Sequence, residues 1–240
     1  MKKWFIGVLA LLAAGCGSGN KGEQARADYN RSLGDSIEIA RQEIDSCDNQ
    51  IKVLRDKVGR WLLDFTEVNN PREAGSYLIY TKMKDAYPLV KTGLMARIND
   101  NGQFELVAVL NPGQFDQIGV SSGEKEARSA VVPNDQALNY RNGQMTTVMF
   151  SGKEADEVGQ LIATNAINTV KLSYYNNGDI RVTNPISTPT LNMIMATWQL
   201  YSDQREANRL ERRAQMLHEK VNVLRAHRDR NGGLDGDTVK

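Results

Sequence analysis

Two stretches of seven-residue periodicity, one near each end of the 240-residue chain, limit what this sequence can fold into. In the first, Ile37, Ile44, Ile51, Val58 and Phe65 recur every seven residues, and Leu33, Ala40, Cys47, Leu54 and Trp61 form a second line. Both lines fall on one stripe of an α-helix, the pattern of a helix that packs lengthwise on another. The spacing predicts a helix over 25–68, stopped by Asn69-Asn70-Pro71. A second helix is predicted over 188–230, from Thr188 as N-cap and Pro189 in the first turn to Asn231-Gly232-Gly233. Its apolar line is Leu191, Ile194, Trp198 and Tyr201, then Leu210, Ala214, Leu217, Val221 and Leu224.

The two helices match in length, about 68 and 63 Å at 1.5 Å per residue. Set antiparallel, they bring the apolar lines together as a coiled-coil stalk. Phe65 then faces Ile194, Trp61 faces Trp198, Val58 faces Tyr201, Cys47 faces Leu210, Ile44 faces Ala214 and Ile37 faces Val221. Charge agrees: residues 23–48 hold seven acids and three bases, residues 205–230 eight bases and four acids. A helix this long ordered by itself loses ~1–2 kcal/mol of backbone entropy per residue, which a buried seam must offset.

Between the helices, residues 71–187 read as an antiparallel α+β head. Tyr77–Lys82, Thr92–Ile98, Phe104–Leu110, Gln136–Arg141, Met145–Phe150, Thr169–Tyr175 and Asp179–Thr183 have the composition of strands. Asn101-Gly102, Asn142-Gly143 and Asn177-Gly178 are hairpin turns, because a two-residue turn there needs positive φ. In the last hairpin Val170, Leu172, Tyr174, Ile180 and Val182 alternate to one side, leaving Tyr175 outside. A capping box from Ser151 to Glu154 opens one short helix that buries Val158, Leu161 and Ile162. Residues 113–135 read as loop. The fold class is α+β, with the long terminal helices flanking a β-rich head like a stalk below it.

The N-terminus adds location. Two lysines, an apolar run from Trp4 to Ala14 and a small-residue exit form a secretory signal peptide over 1–15. The exit Leu12-Ala13-Ala14-Gly15-Cys16 resembles the lipobox of bacterial lipoproteins. That resemblance implies cleavage before Cys16 and attachment of diacylglyceryl and N-acyl groups to it, the only covalent additions expected; no cofactor or metal is. Two or more acyl chains anchor a protein durably. Residues 16–24 then act as lipidated cysteine and flexible tether, and residues 231–240 as a disordered tail. In such lipoproteins an aspartate after the cysteine is a retention cue for the inner membrane; Gly17 stands there instead, which implies the outer membrane, facing the periplasm.

Losing two lysines and no acid takes the formal charge from +1 to −1, which excludes nucleic acid as a partner, since phosphate binding needs a dense basic surface. With Cys16 acylated, Cys47 is the one remaining thiol and sits at a core position of its helix. The chain's two histidines, His218 and His227, lie nine residues apart on the second helix with no ligand spacing or nearby nucleophile. No catalytic residues are therefore assigned. Tyr140 and Tyr175, beside the Asn-Gly turns, are candidate ligand contacts by stacking on sugars. Arg225, Arg228 and Arg230, at the end of the returning helix, are candidate contacts for anionic headgroups. The leading expectation is a non-catalytic envelope lipoprotein that docks a protein partner or self-associates. The alternative is a glycan- or lipid-binding lipoprotein that uses its β-rich head, and an envelope hydrolase stands third.

Overall fold

The computed structural model describes residues 19–70, 73, 75–135, 137–166 and 168–230. The signal peptide, Cys16 with its lipids, and the 231–240 tail lie outside these. The elements run α1 (Gly19–Leu62), β1 (Phe65–Asn69), β2 (Ser76–Tyr80), a 3-10 turn (Thr81–Ala86), β3 (Gly93–Asn99), β4 (Phe104–Leu110), β5 (Gln117–Ser122) and β6 (Lys125–Arg128). They continue with β7 (Asn139–Asn142), β8 (Met145–Ser151), α2 (Lys153–Thr164), β9 (Lys171–Asn176), β10 (Asp179–Pro185) and α3 (Thr188–Arg230). The fold mixes helix with antiparallel sheet, and long N- and C-terminal helices flank a β head. Among the described residues no helix is long and apolar enough to cross a membrane. The chain divides into two compact units, residues 48–211 and, of the described residues, 19–47 with 212–230.

The larger unit holds two antiparallel sheets, one ordered β1-β2-β3-β4-β8-β7 and one ordered β10-β9-β5-β6. One core joins them. Leu94, Ala96, Phe104, Leu106, Ala108, Val148 and Phe150 of the first sheet share it with Ile118, Val120, Leu172 and Tyr174 of the second. Helix α2 contributes Ala155, Val158 and Ile162, and α3 contributes Leu191, Met193 and Ile194. The other face of the first sheet is closed too: Met95, Val107, Val109 and Met149 are buried there. Burial on both faces is why β4 reads as a nearly unbroken apolar run. Each fully buried aliphatic side chain contributes ~1.5–3 kcal/mol.

All three Asn-Gly pairs lie at hairpin connections, with Gly102, Gly143 and Gly178 at positive φ, but only Asn177-Gly178 is itself the two-residue turn; Asn142 ends β7 paired with Met145, and Asn101-Gly102 sits in a longer turn. Several expectations are corrected. Helix α1 begins at Gly19, so residues 19–24 of the expected tether are helical. It ends at Leu62, not Val68, because Phe65–Asn69 pairs with β2 and Phe65 lays its ring edge-on to Tyr80 at 5.8 Å. The expected loop of 113–135 contains β5 and β6, joined by a two-residue turn at Gly123 with φ +60°. The Ser151 capping box does not form: Ser151 is paired with Glu105 in the sheet, and Gly152, at φ +82°, precedes the helix without a side-chain cap. Leu161 is only half-buried. For α3 the capping oxygen is that of Ser187, which accepts from the Thr190 N–H at 3.4 Å, placing Thr188 inside the helix.

Seam residues near the head have other partners. Ile194 lies in the core of the sheets, and Trp198 meets Phe104 edge-on at 5.2 Å. Val58 and Phe65 pack with Ile98, Ala196 and Leu200, with Trp61 and Tyr201 against them. The reason is that α3 turns Ile194 and Trp198 toward the sheets while its neighbouring stripe, Ala196 and Leu200, serves α1. Ile51 and Leu54 are half-buried, and Leu210 is buried.

In the smaller unit Ile37, Ala40, Ile44 and Val221 form one apolar cluster, flanked by Leu217 and Leu224. The Arg213 guanidinium binds the Glu43 carboxylate at 2.7 Å. Cys47 is buried as a free thiol.

Candidate binding cleft

The residues that join the two sheets also frame a concave surface of the larger unit. The chain leaves β4 at Leu110, crosses through 111–116, and enters the second sheet at β5. Neighbouring hairpins pin this crossing from both sides. The Gly113 N–H donates to the Gln144 carbonyl at 3.0 Å, and the Thr146 hydroxyl donates to the Gly113 carbonyl at 2.6 Å. The Asn177 N–H donates to Asp116 Oδ2 at 3.0 Å, and the Asp116 N–H to the Tyr175 carbonyl at 2.9 Å. Gly113 has φ +150°, and a Cβ there would stand 2.6 Å from Leu110 Cδ2, so only glycine permits the path.

Two cavities open along this crossing. One, of about 480 Å³, is lined by Gln114, Asp116, Asn134, Asn139, Arg141, Asn176 and Asn177, with Phe115 and Val131 among its apolar contacts. The other, of about 690 Å³, is lined by Thr92, Asn111, Gln114, Arg141, Arg181 and Asn184, with Leu110 and Val182. Gln114 and Arg141 belong to both, so the two form adjacent halves of one cleft. Both sizes lie in the range of small-molecule sites. The first half is rich in side-chain amides, which both donate and accept hydrogen bonds. Asp116 Oδ1, on its wall, is shut off from solvent and has no hydrogen-bond partner among the described residues.

The second half is cationic. No carboxylate lines it, and among the described residues neither the Arg141 nor the Arg181 guanidinium pairs with one. Arg181 owes its position to a bulge in β10. Ile180 pairs with Tyr175 and Val182 with Tyr174, so Arg181 is the extra residue between them. The bulge breaks the expected alternation: Val182 still packs inward, whereas Ile180 is 60% exposed. A bulge of this kind re-aims a side chain that regular pairing would leave on the sheet face.

A second concentration of charge lies inside the head. Arg97 is buried, with Nη2 at 2.6 Å from Glu73 and Nε at 2.8 Å from Glu105. It donates to the Tyr87 hydroxyl at 3.2 Å, and its guanidinium lies 3.6 Å from the Tyr77 ring centre. Burial acts to lower the Arg97 pKa, but the Glu73 hydrogen bond and the two carboxylate charges outweigh it, leaving it above the ordinary value. Burial pushes the Tyr77 phenol up to about 12, opposed by Arg97 and reinforced by Glu73. The cluster is closed on itself: every polar arm of Arg97 ends on a protein atom, which fits a structural knot. A further cavity of about 520 Å³ is lined by Lys57, Arg60, Trp61, Asp64, Gln199 and Asp203, where acids and bases balance.

The candidate contacts fall as follows. Tyr140 is half-buried on β7 and lines neither half of the cleft; its neighbour Arg141 lines both. Tyr175 does face away from Tyr174, but it is covered, not exposed. Arg128 stacks over its ring at 4.6 Å, and Gly119 packs so closely that a Cβ there would stand 2.9 Å from the ring. It contributes its backbone carbonyl to the cleft frame. Arg225 is half-buried, Arg228 lies 3.8 Å from Asp229, and Arg230 donates to the Ala226 carbonyl. Sequence reasoning missed Gln114, Asp116, Arg141 and Arg181. Arg141 directly precedes one Asn-Gly turn and Arg181 lies just beyond another, but only the tertiary fold brings these turns together.

No family model matches the chain, and no curated protein or solved structure is significantly similar to it.

Proposed function

We propose that this is a lipid-anchored, non-catalytic protein of the bacterial envelope whose head holds a polyhydroxylated ligand of the glycan class in the cleft. One observation carries the reading: a pinned cavity walled by the side-chain amides of Gln114, Asn134, Asn139, Asn176 and Asn177. Sugar hydroxyls donate and accept at once, so they match side-chain amides, which do the same. Recognition here is by hydrogen bonding and not by aromatic stacking, since Tyr175 is covered. The anchor is the acylated Cys16, and the outer membrane facing the periplasm is the proposed address. The full antiparallel coiled-coil pairing of the terminal helices belongs to the same proposal, with the cluster around Ile44 and the Glu43–Arg213 pair as support.

The test is titration of the full chain carrying Cys16→Ser with a panel of neutral and acidic oligosaccharides, followed by NMR. Binding should shift signals of Asn176, Asn177 and Gly113, and Gln114→Ala, an exposed position, should weaken it. A panel that shifts nothing in the cleft sinks the reading. A second reading, docking of a protein partner on the helices, is favoured by Tyr29, Ile39, Met216 and Val223 standing exposed on residues 19–47 and 212–230. Cross-linking in intact cells and capture through a C-terminal tag tests it: a protein partner lost with Met216→Ser supports it, and capture of glycan alone rejects it.

A further inference from the structure

We infer that the second half of the cleft is an oxyanion subsite, so that the ligand is an acidic sugar with its carboxylate held between Arg141 and Arg181. This rests on the glycan reading of the first half and adds to it which sugars are accepted.

Three observations converge. The first is the charge pattern: Arg141 and Arg181 line one cavity of about 690 Å³ that holds no carboxylate, and among the described residues neither has an acidic partner. Several other surface arginines carry acidic partners. Arg55 has Glu211, Arg128 has Glu126, Arg205 has Asp156, and Arg213 has Glu43. Two guanidiniums on the wall of one cavity that holds no carboxylate favour an anion there.

The second observation is the bulge. A β10 strand without it would pair Arg181 regularly and continue the alternation; the inserted residue costs ladder pairing and leaves Ile180 exposed. Its local result is an arginine on the wall of this cavity. The third is the shared boundary. Arg141 and Gln114 line both halves, so an anion at the arginines lies next to the amides and Asp116. A ligand that satisfies both halves carries hydroxyls on one side and an acid on the other. Guanidinium forks suit a carboxylate, since two parallel N–H groups meet its two oxygens. Asp116 disfavours a ligand that is acidic throughout, because a second anion in its half would meet a like charge.

The test uses the full chain carrying Cys16→Ser and a matched pair of probes: N-acetylmuramic acid, and N-acetylglucosamine, which lacks the lactyl carboxylate. Inorganic phosphate is the third arm. The acidic sugar should bind at least ~10-fold more tightly than the neutral one, the scale of a charge-assisted hydrogen bond. Arg181→Gln, which lines only the second half, should remove most of that preference while leaving the neutral sugar's affinity unchanged within error; Arg141→Gln, on the wall of both halves, should lower the acidic sugar's affinity more than the neutral one's. Added salt should erode the preference as well. Lys125→Gln, at an exposed position on β6, should change nothing. Equal binding of both sugars overturns the oxyanion subsite and leaves the glycan reading standing. Binding of phosphate as tight as that of the acidic sugar overturns the claim that the anion is carried on a sugar. Failure of both sugars to bind sinks the two readings together.

Discussion

Arg97 shows how one buried charge is made tolerable. It is the register partner of Glu105 across β3 and β4, on the face of the sheet where its other neighbours are Met95, Val107 and Met149. A cross-strand pair puts opposite charges side by side by geometry alone. One carboxylate would neutralise Arg97; the second, Glu73, leaves the cluster net negative, with Asn99 and Asn70 donating to Glu105 and Glu73. Removing only the cation is therefore the harshest change. Arg97→Leu leaves two carboxylates buried together and should cost ~3–5 kcal/mol, read from urea unfolding. Adding Glu73→Gln and Glu105→Gln to Arg97→Leu should recover a large part of the loss. If the triple variant is no more stable than Arg97→Leu alone, the cost comes from lost packing on Tyr77 and not from charge.

At the scale of elements, two glycines in helices separate what a helix prefers from what its neighbours allow. Gly59, on α1, has open space around its missing Cβ, so Gly59→Ala should stabilise by ~0.5–1 kcal/mol through helix propensity. Gly159, on α2, would place a Cβ 2.6 Å from Phe104 and 3.0 Å from Trp198. Phe104 is buried between Trp198 and Tyr201 and cannot retreat, so strain of ~1–3 kcal/mol exceeds the propensity gain. Gly159→Ala should lower the urea midpoint while Gly59→Ala raises it; a rise in both would show that α2 shifts freely on the sheet. The same contrast explains what the sequence revealed. Elements with local causes were legible: the Asn-Gly turns, the apolar run of β4, the proline near the start of α3. Elements with distant causes were not. Phe65 continues a heptad yet becomes a strand, because Tyr80 and the β2 edge are its partners. β5 carries few bulky residues because Gly119 must lie against Tyr175, fifty-six positions later in the sequence. The cleft failed to show for the same reason: Arg141 and Arg181 look like ordinary charges beside turns until a bulge and a sheet crossing place them on one wall.

For the whole molecule, the division into two units implies two levels of stability. Residues 48–211 hold a large shared core, from Leu94 in the first sheet to Ile194 in α3. Residues 19–47 and 212–230 bury Leu33, Ile37, Ala40, Ile44, Cys47, Ala214 and Val221, four of which form one cluster. A structure with few buried apolar contacts opens locally at lower free energy than one with many. Ile44 lies in the small cluster, and trimming it to alanine removes contact with residues that have little else to pack on. Ile44→Ala should cost ~2 kcal/mol, the low end for such truncations, since a thin cluster collapses readily around the gap. Amide exchange locates that loss. Protection should fall across residues 30–47 and 212–224, while the amides of β3, β4 and β8 keep their wild-type rates, because those open only when the larger core does. Faster exchange in β4 by the same factor would mean that the two units unfold as one block.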